Sequence, residues 1–181
     1  SGYDWQYNGQ YSEPVQWLVD KTIDYISPQI YWKIGHKTND YIALTQWWSV
    51  VASQFSRPAF PSQSYSAINA SGNDNETADE IAANRDAATT NGTVTGAALF
   101  RMGQTTDAFV SKLTTAYTEY ALPPAMTWYE TDDMEAPTEL ALSGKTLTWQ
   151  HEAAERFTVY AYPKGGNMTK ALASSAYLLG I

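Results

Sequence analysis

Apolar positions along the chain change their spacing part-way. Up to about residue 120 they form short, nearly continuous runs separated by stretches of helical period; beyond residue 139 they alternate every second residue. The first run, T-I-D-Y-I-S-P-Q-I-Y-W over 22–32, is rich in β-branched and aromatic residues and predicts a strand. Pro28 cannot donate to a ladder, so a bulge or local break is expected there. A second run lies at 58–66, around Ala59, Phe60 and Tyr65, and a third at 93–101, T-V-T-G-A-A-L-F-R.

Helices are expected between and around these runs. Ser12 and Pro14 open a short one, from Glu13 to about Asp20, with Val15, Leu18 and Val19 on its apolar side. After a cap at Asn39 or Asp40, Leu44, Trp47, Trp48, Val51 and Phe55 keep helical spacing over about 15 residues. Trp47 and Trp48 are adjacent and cannot face the same way, so one packs on the sheet. Thr77 and Glu80 fit a capping box for a helix that runs to about Thr90 and ends at Asn91-Gly92. A last helix is expected from about Asp107 to Tyr120, with Phe109, Val110, Leu113, Ala116, Tyr117 and Tyr120 apolar. Ser1 to Gln10 has no period and reads as a loop, as does the polar stretch Asn69 to Asn75.

The strand starts fall near 22, 58 and 94, a constant interval of 36 residues. Equal units of that size read as βα repeats with a parallel sheet, and burial on both faces explains the continuous apolar runs. The character shifts after Pro123-Pro124. Glu130 to Glu139 holds five acids and no base and reads as a linker, with a boundary near Glu135 that divides the chain into 1–134 and 135–181. Beyond it Leu140 and Leu142, Leu147 and Trp149, and Phe157, Val159 and Ala161 alternate. Turn signals at Ser143-Gly144, His151 to Glu155 and Pro163 to Asn167 separate them, an antiparallel β pattern. Three βα units do not close a barrel of eight strands, and about four strands do not complete a sandwich of about seven. The expectation is a segment of a longer protein. The alternative is a small three-stranded α/β domain with a β appendage.

Composition narrows the function. The 181 residues are 44% hydrophobic and 17% charged, which excludes disorder, and the net charge of −8 argues against a nucleic-acid partner. No apolar run is long enough to span a membrane. Zero cysteines exclude a disulfide scaffold, an iron–sulfur site and a Cys-type zinc site. His36 and His151 are the two histidines, so no His-rich metal signature exists and no cofactor is expected. Seven Trp and thirteen Tyr suit a large core and equally suit stacking on sugar rings.

Several runs resemble the family-10-like glycosyl hydrolases. They are V-D-K-T-I-D-Y-I-S-P-Q-I-Y-W (Val19 to Trp32), Q-W-W (Gln46 to Trp48), Q-S-Y (Gln63 to Tyr65) and E-I-A-A-N-R (Glu80 to Arg85). G-A-A-L-F-R (Gly96 to Arg101), A-L-P-P-A-M-T-W (Ala121 to Trp128) and then A-P-T-E-L continue the order. The resemblance implies a TIM barrel, whose last three βα units these would be, followed by a β-sandwich similar to fibronectin type III. It also implies an extracytoplasmic bacterial location and activity on glycans, peptidoglycan among them.

In such a barrel the active site lies at the C-terminal strand ends. Those ends carry Gln29, Tyr31 and Trp32, then Gln63 and Tyr65, then Phe100 and Arg101, with His36 in the following K-I-G-H-K loop beside Lys33 and Lys37. Aromatic and amide side chains suit a pyranose face and its hydroxyls, and Arg101 suits a carboxylate. Plugging the barrel top (Tyr31, Trp32), pairing with a structural acid (Arg101) and plain solvation (His36) are the alternatives. Glycoside hydrolysis needs two carboxyls, and no Asp or Glu stands at these ends. Asp24 reads as structural, Asp40 and Asp107 as helix-start acids, Glu80 as a capping residue, His151 as a turn residue and Trp149 as core. The segment alone is therefore expected to be inactive. A non-catalytic glycan-binding module is the main rival, and a purely structural surface piece the third reading.

Overall fold

The computed structural model describes residues 4–64, 75–91, 93–118, 121–124, 126–129, 135–166 and 178–180. The chain divides into two compact units, Ser1–Tyr117 and Thr118–Ile181.

In the first unit the three expected strands run parallel and in sequence order. Ile26 and Gln29 bridge to Ala59 and Ser62, Ala59 bridges to Val94, and strand β1 (Ser62–Ser64) pairs with β2 (Ala98–Phe100). Pro28 interrupts the first segment chemically but not geometrically. Ile26 N–H donates to the Pro58 carbonyl at 3.1 Å, Ser62 N–H to the Pro28 carbonyl at 2.8 Å, and Ile30 N–H to the Ser62 carbonyl at 2.9 Å. The missing rung is the one an amide at position 28 would give to the Phe60 carbonyl. The Ser27 hydroxyl supplies it instead, at 2.8 Å, so the carbonyl keeps the partner that a backbone group needs.

Pro61 has a similar effect on the other side. Ala59 pairs with Val94 but Ser62 with Ala98, so the third strand gains one residue opposite Pro61, which has no amide to hold the register. Gly96 lies in that bulge against Phe60; a Cβ there would meet the Phe60 ring at 3.2 Å.

Among the described residues, four α-helices accompany the sheet: α1 (Pro14–Val19), α2 (Tyr41–Gln54), α3 (Glu76–Asn91) and α4 (Asp107–Ala116). Trp5–Gly9, expected as a loop, forms a π-helical turn. Asp40 caps α2 by accepting from Ala43 N–H at 2.9 Å and also takes the Gly35 amide. Thr106 caps α4 through Phe109 N–H, leaving Asp107 as a first-turn acid. The expected capping box on α3 does not form. That helix begins at Glu76, so Glu80 lies inside it and turns into the protein.

The buried stripe of α2 takes in more than its large residues suggest. Tyr41, Thr45, Trp48, Ser49 and Ala52 are buried, whereas Trp47 is half exposed and edge-on to Trp48. Small Thr45 and Ser49 let α2 approach its neighbours, and the Ser49 hydroxyl lies 3.3 Å from the Ala87 carbonyl and 3.0 Å from Thr93 Oγ1. The core joins Leu18, Ile26, Ile30, Tyr41, Trp48, Ala52, Ala59, Ala87 and Val94. Because side chains alternate along a strand, Tyr25, Gln29, Tyr31, Phe60, Ser62 and Phe100 occupy the opposite face of the sheet. The helix α4 is tied to α3 by Arg85, which donates to the Ala116 carbonyl and lies over the Tyr117 ring.

The second unit contains the expected hairpin, β3 (Thr138–Ser143) with β4 (Thr146–Gln150). Its two-residue loop starts at Gly144, φ +62°, the position such a turn reserves for glycine. The ladder shifts between Thr138 and Ala141, where Glu139 takes a positive φ of 51°. Trp149 is half-buried and meets Phe157 edge-on at 5.2 Å. His151 holds the next turn: its Nδ1 accepts from Ala153 and Ala154 N–H, and Nε2 faces the Glu135 carbonyl at 2.9 Å. Strand β5 (Val159–Tyr160) pairs antiparallel with β6 (Leu178–Gly180).

Asp40 holds both the α2 N-terminus and the preceding turn, so Asp40→Ala should lower stability by about 1–2 kcal/mol. Urea denaturation should show a lower midpoint at an unchanged slope.

Candidate functional site

The sheet carries helices on one face and an aromatic row on the other. The row is built by register. Gln29 stands opposite Ser62, and Ser62 opposite Ala98, with Ser64 opposite Phe100 two residues further on. Tyr31, at the end of the first segment, stacks on Phe100 with ring centres 5.6 Å apart and an interplanar angle of 24°. Its hydroxyl lies 3.3 Å from the Ser62 hydroxyl. Nearer the other end of the strands Tyr25 meets Phe60 edge-on at 5.4 Å. Phe100 remains 47% exposed, while Ser62, within reach of the Tyr31 hydroxyl, and Ser64 are buried. The C-terminal ends therefore present a partly exposed aromatic stack with the Ser62 hydroxyl at its base.

Trp32 and His36 form a second group in the loop after the first segment. Trp32 is exposed, with its ring 6.4 Å from the imidazole. His36 Nδ1 accepts from Asn39 N–H at 3.1 Å and Thr38 N–H at 3.4 Å. That arrangement uses Nδ1 as an acceptor and makes His36 the organiser of the turn that leads into Asp40. Gln29 and Arg101 are exposed. Tyr65 and the polar stretch 69–74 lie outside the described residues.

Gln63 is placed elsewhere than its position at a strand end suggests. It is 1% exposed and points into the helix layer, where its amide donates to Glu80 Oε2 at 2.6 Å. The reason is parity. Ala59 faces the helices, so Pro61 and Gln63 do as well. The buried Ala59, readable as core from its small apolar side chain, was the signal that would have placed Gln63. Around this pair Tyr41 donates to Asn84 Oδ1 at 2.9 Å, and Glu76 accepts the Ile34 amide. Burial pushes the Glu80 carboxyl up to about 8; the Gln63 bond opposes this and the nearby Glu76 adds to it. Burial likewise raises Tyr41 above the ordinary phenol range, with Glu80 contributing. Among the described residues no cluster of three His, Cys, Asp or Glu side chains could hold a metal, and no helix is long and apolar enough to cross a membrane.

Chemically the aromatic row can bind and orient. Residues 29–32, 62–64 and 98–101 include no Asp or Glu, so they supply no acid–base pair. A stretch of 43 residues is 44% identical to the glycosyl hydrolase YngK of Bacillus subtilis (strain 168). It makes up 24% of this chain and 8% of that protein. Over that stretch the chain is related to a glycosyl hydrolase. No family model matches the chain and no solved structure matches it.

The two glutamines should respond differently to truncation. Gln63→Ala leaves a buried acid without its donor and should lower stability by about 2–3 kcal/mol. Gln29→Ala, on the exposed face, should change it by less than about 0.5 kcal/mol. Paired denaturation curves would measure both.

Proposed function

We propose that this chain contributes a glycan-binding arc to a glycoside hydrolase. In this reading the three parallel segments are the last βα units of a TIM barrel, and the second unit belongs to a sandwich similar to fibronectin type III. The observation that carries it is the Tyr31–Phe100 stack above Ser62 at the C-terminal ends of parallel strands. A pyranose offers an apolar C–H face to such rings and hydroxyls to the groups beside them. The partial likeness to a named glycosyl hydrolase supports the same class. The substrate would be a polymeric glycan, peptidoglycan included, met outside the cytoplasm. The reacting carboxyls would come from residues other than this aromatic row, because it contains none.

A non-catalytic glycan-binding role is the second reading. It is favoured by the lack of any Asp or Glu at the strand ends, where Gln29, Tyr31, Ser62 and Phe100 suit retention of a sugar better than its cleavage.

Titration with soluble peptidoglycan fragments, followed by amide chemical shifts, tests both readings. Tyr31→Ala and Phe100→Ala should each weaken binding about tenfold, equivalent to ~1.4 kcal/mol. Incubation with the same fragments should release no cleaved product. Binding that ignores both substitutions would reject the aromatic row as the site.

A further inference from the structure

The strongest feature outside that row is the polar pair between strand and helix. Gln63 and Glu80 are 1% and 0% exposed and are joined by a single bond of 2.6 Å from the amide nitrogen to one carboxyl oxygen. The other oxygen of each group, Gln63 Oε1 and Glu80 Oε1, is buried with no hydrogen-bond partner. Were Glu80 ionised, both would be acceptors, and neither could satisfy the other. A buried polar atom left in that state is strongly unfavourable. One proton resolves both deficits, because Glu80 Oε1 becomes a donor and the amide oxygen is the acceptor it lacks.

We propose that Glu80 is held as a neutral carboxylic acid that completes a two-bond acid–amide pair with Gln63, a proton-dependent latch between α3 and β1. The surroundings agree. Among the described residues, the ionisable groups facing Glu80 are Glu76, one turn earlier on its own helix, and Tyr41 from α2. Neither offers a positive charge. Arg85, a cation on the same helix, is committed to the Ala116 carbonyl and the Tyr117 ring. Desolvation beside Glu76 raises the Glu80 carboxyl to about 8, so the proton stays at neutral pH. The latch joins α3 to the strand that carries Ser62 and Ser64. It stands on the Gln63–Glu80 contact and not on any glycan reading.

The sign of the pH effect follows from linkage. Between the ordinary carboxyl range and about 8 the folded chain holds a proton that the unfolded chain has lost. Stability therefore falls as pH rises through that window and levels above it. Hydrogen exchange of α3 amides, corrected for intrinsic rate, should show the opening equilibrium rising by up to tenfold per pH unit between pH 5 and 8, on the order set by one proton. Glu80→Gln keeps an amide in place of the acid and should remove that slope while the rest of the profile persists. Infrared spectra of the unmodified protein should show a protonated-carboxyl stretch at pH 7 that is about half lost near pH 8 and gone well above it. Equal slopes in the two proteins would overturn the proposal. So would a fully ionised set of carboxyls at pH 7, a result that needs no variant to fold.

Discussion

The packing of one face of a parallel sheet onto α2 and α3 is the constraint on which the first unit rests. Ile26, Ile30, Ala59 and Val94 project to that side and enter a single core with Tyr41, Trp48, Ala52 and Ala87. Burial of such side chains is worth roughly 1.5–3 kcal/mol each, far more than any one rung of the ladder. This explains how the sheet tolerates two prolines. Pro28 removes a donor and Ser27 replaces it; Pro61 removes another and the third strand slips by a residue at Gly96. The ladder adjusts locally because the apolar face fixes where each strand must lie.

Much of this was legible in the residues. The three apolar runs at a constant interval correctly announced three parallel segments in order, and Asp40 was readable as a cap. The hairpin around Gly144 followed from the leucine alternation and the glycine. What the pattern misplaced were faces. In α2 Leu44, Trp48, Val51 and Phe55 do pack on the core while Trp47 turns outward, and the structure also buries Thr45 and Ser49, because close helix approach needs small side chains with a local hydrogen-bond partner. Glu80 looked like a capping residue because Thr77 stood three positions before it. The helix starts at Glu76, which moves Glu80 to the inner face. Local spacing cannot separate these outcomes, since both satisfy the same motif and tertiary burial selects one.

The strand ends show the same limit. A list of residues near the end of a strand mixes two faces, and alternation assigns them. Tyr31 and Phe100 share one face and meet; Gln63 lies on the other and is spent on Glu80. The aromatic row has the Ser62 hydroxyl at its base and no acid among its members. On its own it supplies no acid–base pair.

The two faces are nonetheless linked through β1. Ser62 meets the Tyr31 hydroxyl while Gln63 beside it reaches to α3, so the three-residue strand has one face in each environment. A strand of three residues has few ladder bonds with which to hold its own position. Its placement depends on what its side chains grip, and the buried amide–acid contact is the strongest grip available on the helix side. Polar pairs in a core define a single geometry more sharply than apolar contacts do, since they are satisfied in one arrangement only. The alignment of Ser62 beneath Tyr31 is thus set in part by a contact on the far side of the sheet.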